Sequence, residues 1–213
     1  MKIYPTTKGI VIDDENQWYV LNADWDEFIN DDDLFRKIKL IIQQFDPWQQ
    51  SQELIKHHLT LPVKSQEIWA SGVTYFNSKL ARQEESAKAG GGNFYEKVYH
   101  ADRPELFFKA TAQRTVSSGQ KVRIRKDSVW DVPEPELTLV ITSSGKIVGY
   151  TIGNDMSSRS IEGENPLYLP QAKTYDGCAS VGPCILVAEG PLSKEVEISM
   201  TVLRGGESIF EGG

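Results

Sequence analysis

Apolar and polar positions fall into two textures along this chain. In the first, Gly9-Ile10-Val11-Ile12 and Trp18-Tyr19-Val20-Leu21 flank Asp13-Asp14-Glu15-Asn16, which predicts a β-hairpin. Asp31-Asp32-Asp33 then precede Leu34, Ile38, Ile41, Ile42 and Phe45, spaced as one face of a helix. The three acids read as a cap, favoured by the positive end of the helix dipole, and Asp46-Pro47 as the stop. Ser51 to Leu59 predicts a second short helix, where the adjacent His57 and His58 are read as surface residues because a metal-binding pair needs a spacing of three or four.

From Pro62 onward short alternating runs and turns replace helical spacing. Lys121 to Arg125, Leu137 to Thr142, Lys146 to Gly153, Cys184 to Ala188 and Glu195 to Leu203 all predict strands. A helix over Lys79 to Ala89 ends at Gly90-Gly91-Gly92, a hinge for a lid or a plain surface loop. Few helices interleave with the strands, which argues against a doubly wound parallel sheet. The expected fold is α+β and mostly β with mixed sheets: a small domain over 1–65 and a larger catalytic domain over 66–213. Ser208-Ile209-Phe210 begins a strand that the last residues leave unfinished. Open edges are usually avoided, so the expectation is a fragment, or a chain completed by a partner.

Composition narrows the classes of function. The chain has 213 residues, 39% hydrophobic and 25% charged, as an ordinary globular protein does. A net charge of -7 argues against nucleic acid as a partner. No apolar run approaches the roughly 20 residues that span a bilayer, and Met1-Lys2-Ile3-Tyr4-Pro5 lacks the apolar centre of a secretory signal. The expectation is a cytoplasmic protein with no membrane partner. Cys178 and Cys184 are too few for a disulfide framework or a zinc site and read as inert thiols.

The candidate chemistry lies in Trp130-Asp131-Val132-Pro133-Glu134-Pro135-Glu136-Leu137 and in Gly153-Asn154-Asp155. Glu134 and Glu136 stand two apart, so both face one side of an extended segment. A hairpin turning at Ser143-Ser144-Gly145 would bring Asp155 to the same end. Three carboxylates with no His or Cys suit Mg²⁺, with Ca²⁺ or Mn²⁺ as alternatives, rather than zinc.

The wider pattern resembles the fumarylacetoacetate hydrolase superfamily. The resemblance rests on Ser71-Gly72-Val73-Thr74-Tyr75, Pro104-Glu105-Leu106-Phe107-Phe108-Lys109, Pro135-Glu136-Leu137, Gly153-Asn154-Asp155-Met156-Ser157-Ser158-Arg159, Lys173-Thr174-Tyr175-Asp176-Gly177 and Gly182-Pro183. It implies that Glu134, Glu136 and Asp155 hold one divalent ion, that Glu105 and Lys173 are catalytic, and that the protein is a homodimer or larger homo-oligomer. Lys109 also matches a family lysine, for an ion pair or for substrate binding.

Family hydrolases carry a water-activating His and Glu three and six residues after the Tyr matched by Tyr75, where this chain has Ser78 and Ala81. Serine does not accept a proton near neutral pH as imidazole does. That departure resembles the 2-keto-3-deoxy sugar-acid dehydratases of the family. It implies removal of water from an acid such as 2-keto-3-deoxy-arabinonate to give a 2,5-dioxo acid, with Phe76, Ser78 and Lys173 contacting the 2-keto acid. An acylpyruvate-type hydrolase or oxaloacetate-type decarboxylase remains an alternative at this point, as does a non-catalytic family member.

Overall fold

The computed structural model describes residues 1–72, 98 and 101–212. They fall into two compact units: Met1–Lys64, Pro135–Gly153 and Val181–Gly213 in one, Ser65–Glu134 and Asn154–Ser180 in the other. Residues 135–153 and 181–213 cluster with the leading segment.

The first unit is built on a sheet. β1 (Lys2–Thr6), β2 (Gly9–Asp14) and β3 (Gln17–Leu21) run antiparallel, and the sheet continues through β11 (Ala179–Leu186), β9 (Ile147–Asp155) and β8 (Pro135–Ile141) in the order β3-β2-β1-β11-β9-β8. Glu15 and Asn16, with φ of 53° and 64°, supply the paired left-handed residues of a two-residue hairpin turn. β1 carries no obvious strand signal of its own. It forms because Ile3 pairs with Ile12 on one side and Ile185 on the other, and all three side chains are buried.

Against this sheet pack α1 (Trp25–Ile29) and α2 (Leu34–Ile42). Leu34, Ile38 and Ile42 recur every four residues and are all buried, so α2 presents one apolar stripe. Removing each such side chain from water contributes about 1.5–3 kcal/mol. Asp24 caps α1 by accepting from the backbone N–H groups of Asp26 and Glu27. The triple aspartate works differently from the expected cap. Asp33 holds the cap position without a side-chain hydrogen bond, Asp31 closes a local turn onto the Asp33 N–H, and Asp32 accepts from the hydroxyls of Thr142 and Ser144.

Several expected boundaries shift. α2 ends at Ile42, and the N–H groups of Gln44 and Phe45 bond back only three residues, so the last turn tightens and Phe45 lies outside the helix. The second helix is a 3₁₀ turn at Gln49–Ser51 followed by α3 (Gln52–His58). The strand expected from Glu195 begins only at β12 (Met200–Arg204), which turns through Gly205 and Gly206, both at positive φ, into β13 (Glu207–Gly212). Lys121 to Arg125 is not a strand. The Arg123 N–H donates to the Gly177 carbonyl, and Arg125 turns to Asp127 and the Gln171 carbonyl. Alternation alone supplies no ladder partner.

The second unit contains β4 (Glu67–Ser71) paired with β5 (Leu106–Thr111), β7 (Asp131–Val132) paired with β10 (Ser157–Ser158), and β6 (Thr115–Val116), parallel to the first two residues of β11. α4 (Arg159–Glu164) follows β10 directly, capped by the Ser158 hydroxyl, and α5 (Leu169–Lys173) comes next. Ala110, Cys178 and Ala179 form a small core with Ile68 and Tyr175. The expected helix over Lys79 to Ala89, its glycine run, Phe76 and Ser78 lie outside the described residues. Among the described residues no helix is long and apolar enough to cross a membrane.

Candidate metal centre

Glu134, Glu136 and Asp155 come together as the hairpin reading requires. Thr142 and Lys146 close the β8–β9 turn, with the Thr142 N–H donating to the Lys146 carbonyl. At the other end the Asp155 N–H donates to the Glu134 carbonyl at 2.9 Å, and the Asn154 side chain accepts from the Glu134 N–H at 3.1 Å. One carboxylate oxygen from each of Glu134, Glu136 and Asp155 lies within 4.8 Å of the others. This all-oxygen donor set, close enough to share one ion and free of His and Cys, fits a hard dication.

Two of these carboxylates sit in a dense field of cations. Lys173 closes α5 and is fully buried. Its Nζ lies 2.6 Å from Glu134 Oε2, 2.9 Å from Asp155 Oδ2 and 2.5 Å from Ser157 Oγ, with the Phe107 ring centroid 5.5 Å away. Arg159 reaches Glu134 Oε1 at 2.5 Å and Glu162 at 3.1 Å. Lys109, also fully buried, lies 2.6 Å from Asp155 Oδ1. Buried charges persist only when paired, and here each carboxylate oxygen of Glu134 and Asp155 lies against a cation, Lys173 serving one oxygen of each.

Lys109 owes its direction to an irregularity in β5. The β4–β5 register steps from Ile68↔Ala110 to Trp69↔Phe108, leaving Lys109 without a partner across the strand pair. Such a bulge re-aims a side chain. Above it in the chain, Glu105 lies just before β5, where its backbone carbonyl accepts from the Gly72 N–H at 2.9 Å. Tyr175 flanks Lys109, its ring centroid 5.8 Å from Nζ. Burial first, and then the anionic forms of Cys178, Asp131 and Asp155, push the Tyr175 hydroxyl up, so it stays a neutral phenol.

Of the residues singled out from the sequence, Glu134, Glu136, Asp155 and Lys173 are therefore gathered, and Glu105 is placed beside Gly72. Phe76 and Ser78 fall outside the described residues. Ser157, Arg159 and Glu162 were not expected to take part. Their signal was the Ser157-Ser158-Arg159 run directly after Asp155, since a buried acid calls for donors and cations close by in the chain or in space.

Residues 67–211 match the C-terminal domain of fumarylacetoacetate hydrolase, and the chain belongs to that family. A probable 2-keto-3-deoxyxylonate dehydratase of Haloferax volcanii is 57% identical over 158 residues, covering 74% of this chain and 53% of that protein. The 2-dehydro-3-deoxy-D-arabinonate dehydratase of Saccharolobus solfataricus is 47% identical over 158 residues, covering 72% of this chain and 52% of that protein. The chain thus spans about half the length of the curated relatives it matches. The solved structure of 2-keto-3-deoxy-D-arabinonate dehydratase complexed with magnesium and 2,5-dioxopentanoate is 34% identical, with a TM-score of 0.74 over 100% of this chain and 75% of that one.

Proposed function

We propose that this protein is a Mg²⁺-dependent dehydratase of 2-keto-3-deoxy sugar acids. The observation that carries the reading is the Lys173 ammonium, buried and held between Glu134 and Asp155 beside the Glu136 carboxylate. A buried lysine among clustered carboxylates suits proton handling at a cation site more than it suits fold stability, because a buried ion pair is often no more stabilising than an apolar pair of the same volume. The names of the Haloferax and Saccharolobus relatives support this choice of reaction, as does Ser78 standing where family hydrolases carry His.

Glu134, Glu136 and Asp155 are the proposed ligands. A dication bound there would take up the carboxylate and keto oxygens of a 2-keto acid and stabilise negative charge as it develops on the keto oxygen. Glu105 removes a proton from C3. Lys173 donates a proton to the C4 hydroxyl, which leaves as water when the C4–O bond breaks. Glu134 Oε2, Asp155 Oδ2 and Ser157 Oγ hold the Lys173 ammonium in place for that step. For a pentonate, the unsaturated alcohol that results isomerises to a 2,5-dioxo acid. Phe76 and Ser78 are proposed to contact the sugar chain.

A homodimer is part of the same reading, supported by the family resemblance and by the fact that an isologous contact closes an assembly. A cytoplasmic location is proposed from the cysteine usage. A substrate panel with Mg²⁺ tests the reaction. The expected result is dehydration of a 2-keto-3-deoxy pentonate without cleavage of acylpyruvates, and a loss of roughly 10²-fold in kcat for Glu105→Gln and for Lys173→Ala. Efficient acylpyruvate hydrolysis, or full dehydratase activity in both variants, would overturn it.

A further inference from the structure

The Lys109 ammonium makes three contacts that join separate pieces of the site. It pairs with Asp155 Oδ1 at 2.6 Å, donates to the Met156 carbonyl at 2.8 Å, and donates to the Lys173 carbonyl at 2.5 Å. The last two acceptors are backbone atoms, 47 and 64 residues away in sequence. Asp155 is therefore held from both sides, by Lys109 on Oδ1 and by Lys173 on Oδ2. Lys173 is in turn held at its main chain by Lys109 and at its side chain by Asp155. The three residues close a ring. Lys109 is also the residue that the β5 register leaves unpaired, so the strand gives up ladder pairing at the one position where its side chain enters this ring.

We infer that Lys109 is a positioning residue for the cation site: it fixes the rotamer of Asp155 and, through the Lys173 carbonyl, the place from which the Lys173 side chain approaches. Three features separate this from a plain buried ion pair. An ion pair needs one contact, and Lys109 adds two hydrogen bonds to it. All three acceptors belong to Asp155, to the residue after it, or to Lys173. The residue is 1% exposed and its ammonium is flanked by the Tyr175 ring.

Charge and position make opposite demands on the affinity for a dication. A cation 2.6 Å from a ligand oxygen repels an incoming metal ion, so deleting only its charge would tighten binding. Deleting a residue that orients a ligand weakens binding, typically by about 10- to 100-fold. The inference predicts the second sign.

The test is a double-mutant cycle on Mn²⁺ affinity, read by the free-ion electron paramagnetic resonance signal with Mn²⁺ alone and the full chain. Lys109→Met removes the three contacts at nearly constant volume, and Asp155→Asn removes the ligand charge. Lys109→Met should weaken Mn²⁺ binding about tenfold or more, and should cost less than about threefold when Asp155→Asn is already present, because both changes act through one side chain. Where Lys109→Met does not fold by circular dichroism, Lys109→Arg carries the same cycle, since a planar guanidinium keeps the charge but not the three-way contact of an ammonium. Tighter Mn²⁺ binding in the Lys109 variant, or additive effects, would overturn the inference. It rests on reading Glu134, Glu136 and Asp155 as metal ligands. No Mn²⁺ binding by the wild type would sink that reading as well, whereas wild-type binding with an additive cycle would sink the role of Lys109 alone.

Discussion

The carboxylate of Glu105 occupies the space where a side chain on residue 72 would begin. A β-carbon built on Gly72 would lie 2.0 Å from Glu105 Oε2 and 2.7 Å from its Cδ. Glycine is therefore required there to let a carboxylate approach the backbone, and φ plays no part in the requirement. Gly72→Ala should drive the Glu105 carboxylate aside. The clash is with the end of a flexible side chain, so stability should fall by no more than about 1 kcal/mol. The kcat of the proposed dehydration should fall about as far as in Glu105→Gln. A fully active Gly72→Ala enzyme would dissociate Glu105 from proton transfer.

Glu134 is ion-paired with two cations and belongs to the acidic group, so its substitution tests the metal without dismantling a core. Glu134→Gln should weaken Mg²⁺ binding by at least about tenfold, measured by isothermal titration calorimetry, while the far-ultraviolet circular dichroism spectrum stays unchanged. Unaltered Mg²⁺ affinity would remove Glu134 from the ligand set.

Asp32 reports on the β8–β9 turn. Hydrogen bonds from the Ser144 and Thr142 hydroxyls, and then the nearby Lys146 ammonium, hold its carboxyl below the usual range against a small opposing effect of burial. A carboxylate with a lowered folded-state pKa contributes stability above its unfolded value of about 3.9 and loses it as pH falls through the folded value. Ser144→Ala should therefore lower Tm near pH 7, and the deficit should shrink as pH falls below about 4. A deficit of equal size at pH 7 and pH 3 would point to packing and not to the carboxylate.

The thiols should be inert. Cys178 is fully buried, and burial pushes the half-buried Cys184 thiol up despite the Tyr4 hydroxyl and Lys2, which act in the other direction. Neither should react with Ellman's reagent at pH 8 on a timescale of minutes, and both should react at once in guanidinium. Rapid native labelling at Cys184 would contradict the burial seen here.

Much of the local structure was legible along the chain because it depends on near neighbours. The β2–β3 hairpin followed from its turn residues, α2 from the spacing of Leu34, Ile38 and Ile42, and the acidic group from two glutamates two apart and an aspartate at the next strand's end. Lys121 to Arg125 alternates as a strand should, yet among the described residues no strand pairs with it, because a ladder is a property of two segments. β1 is the reverse case: Lys2–Thr6 is ordinary by pattern and becomes a central strand because β2 and β11 flank it. Which cations would neutralise Glu134 and Asp155 was decided the same way. Lys109, Arg159 and Lys173 come from β5, α4 and α5, and only folding brings them within 3 Å of those carboxylates, where a buried negative charge must find a partner or not be buried at all.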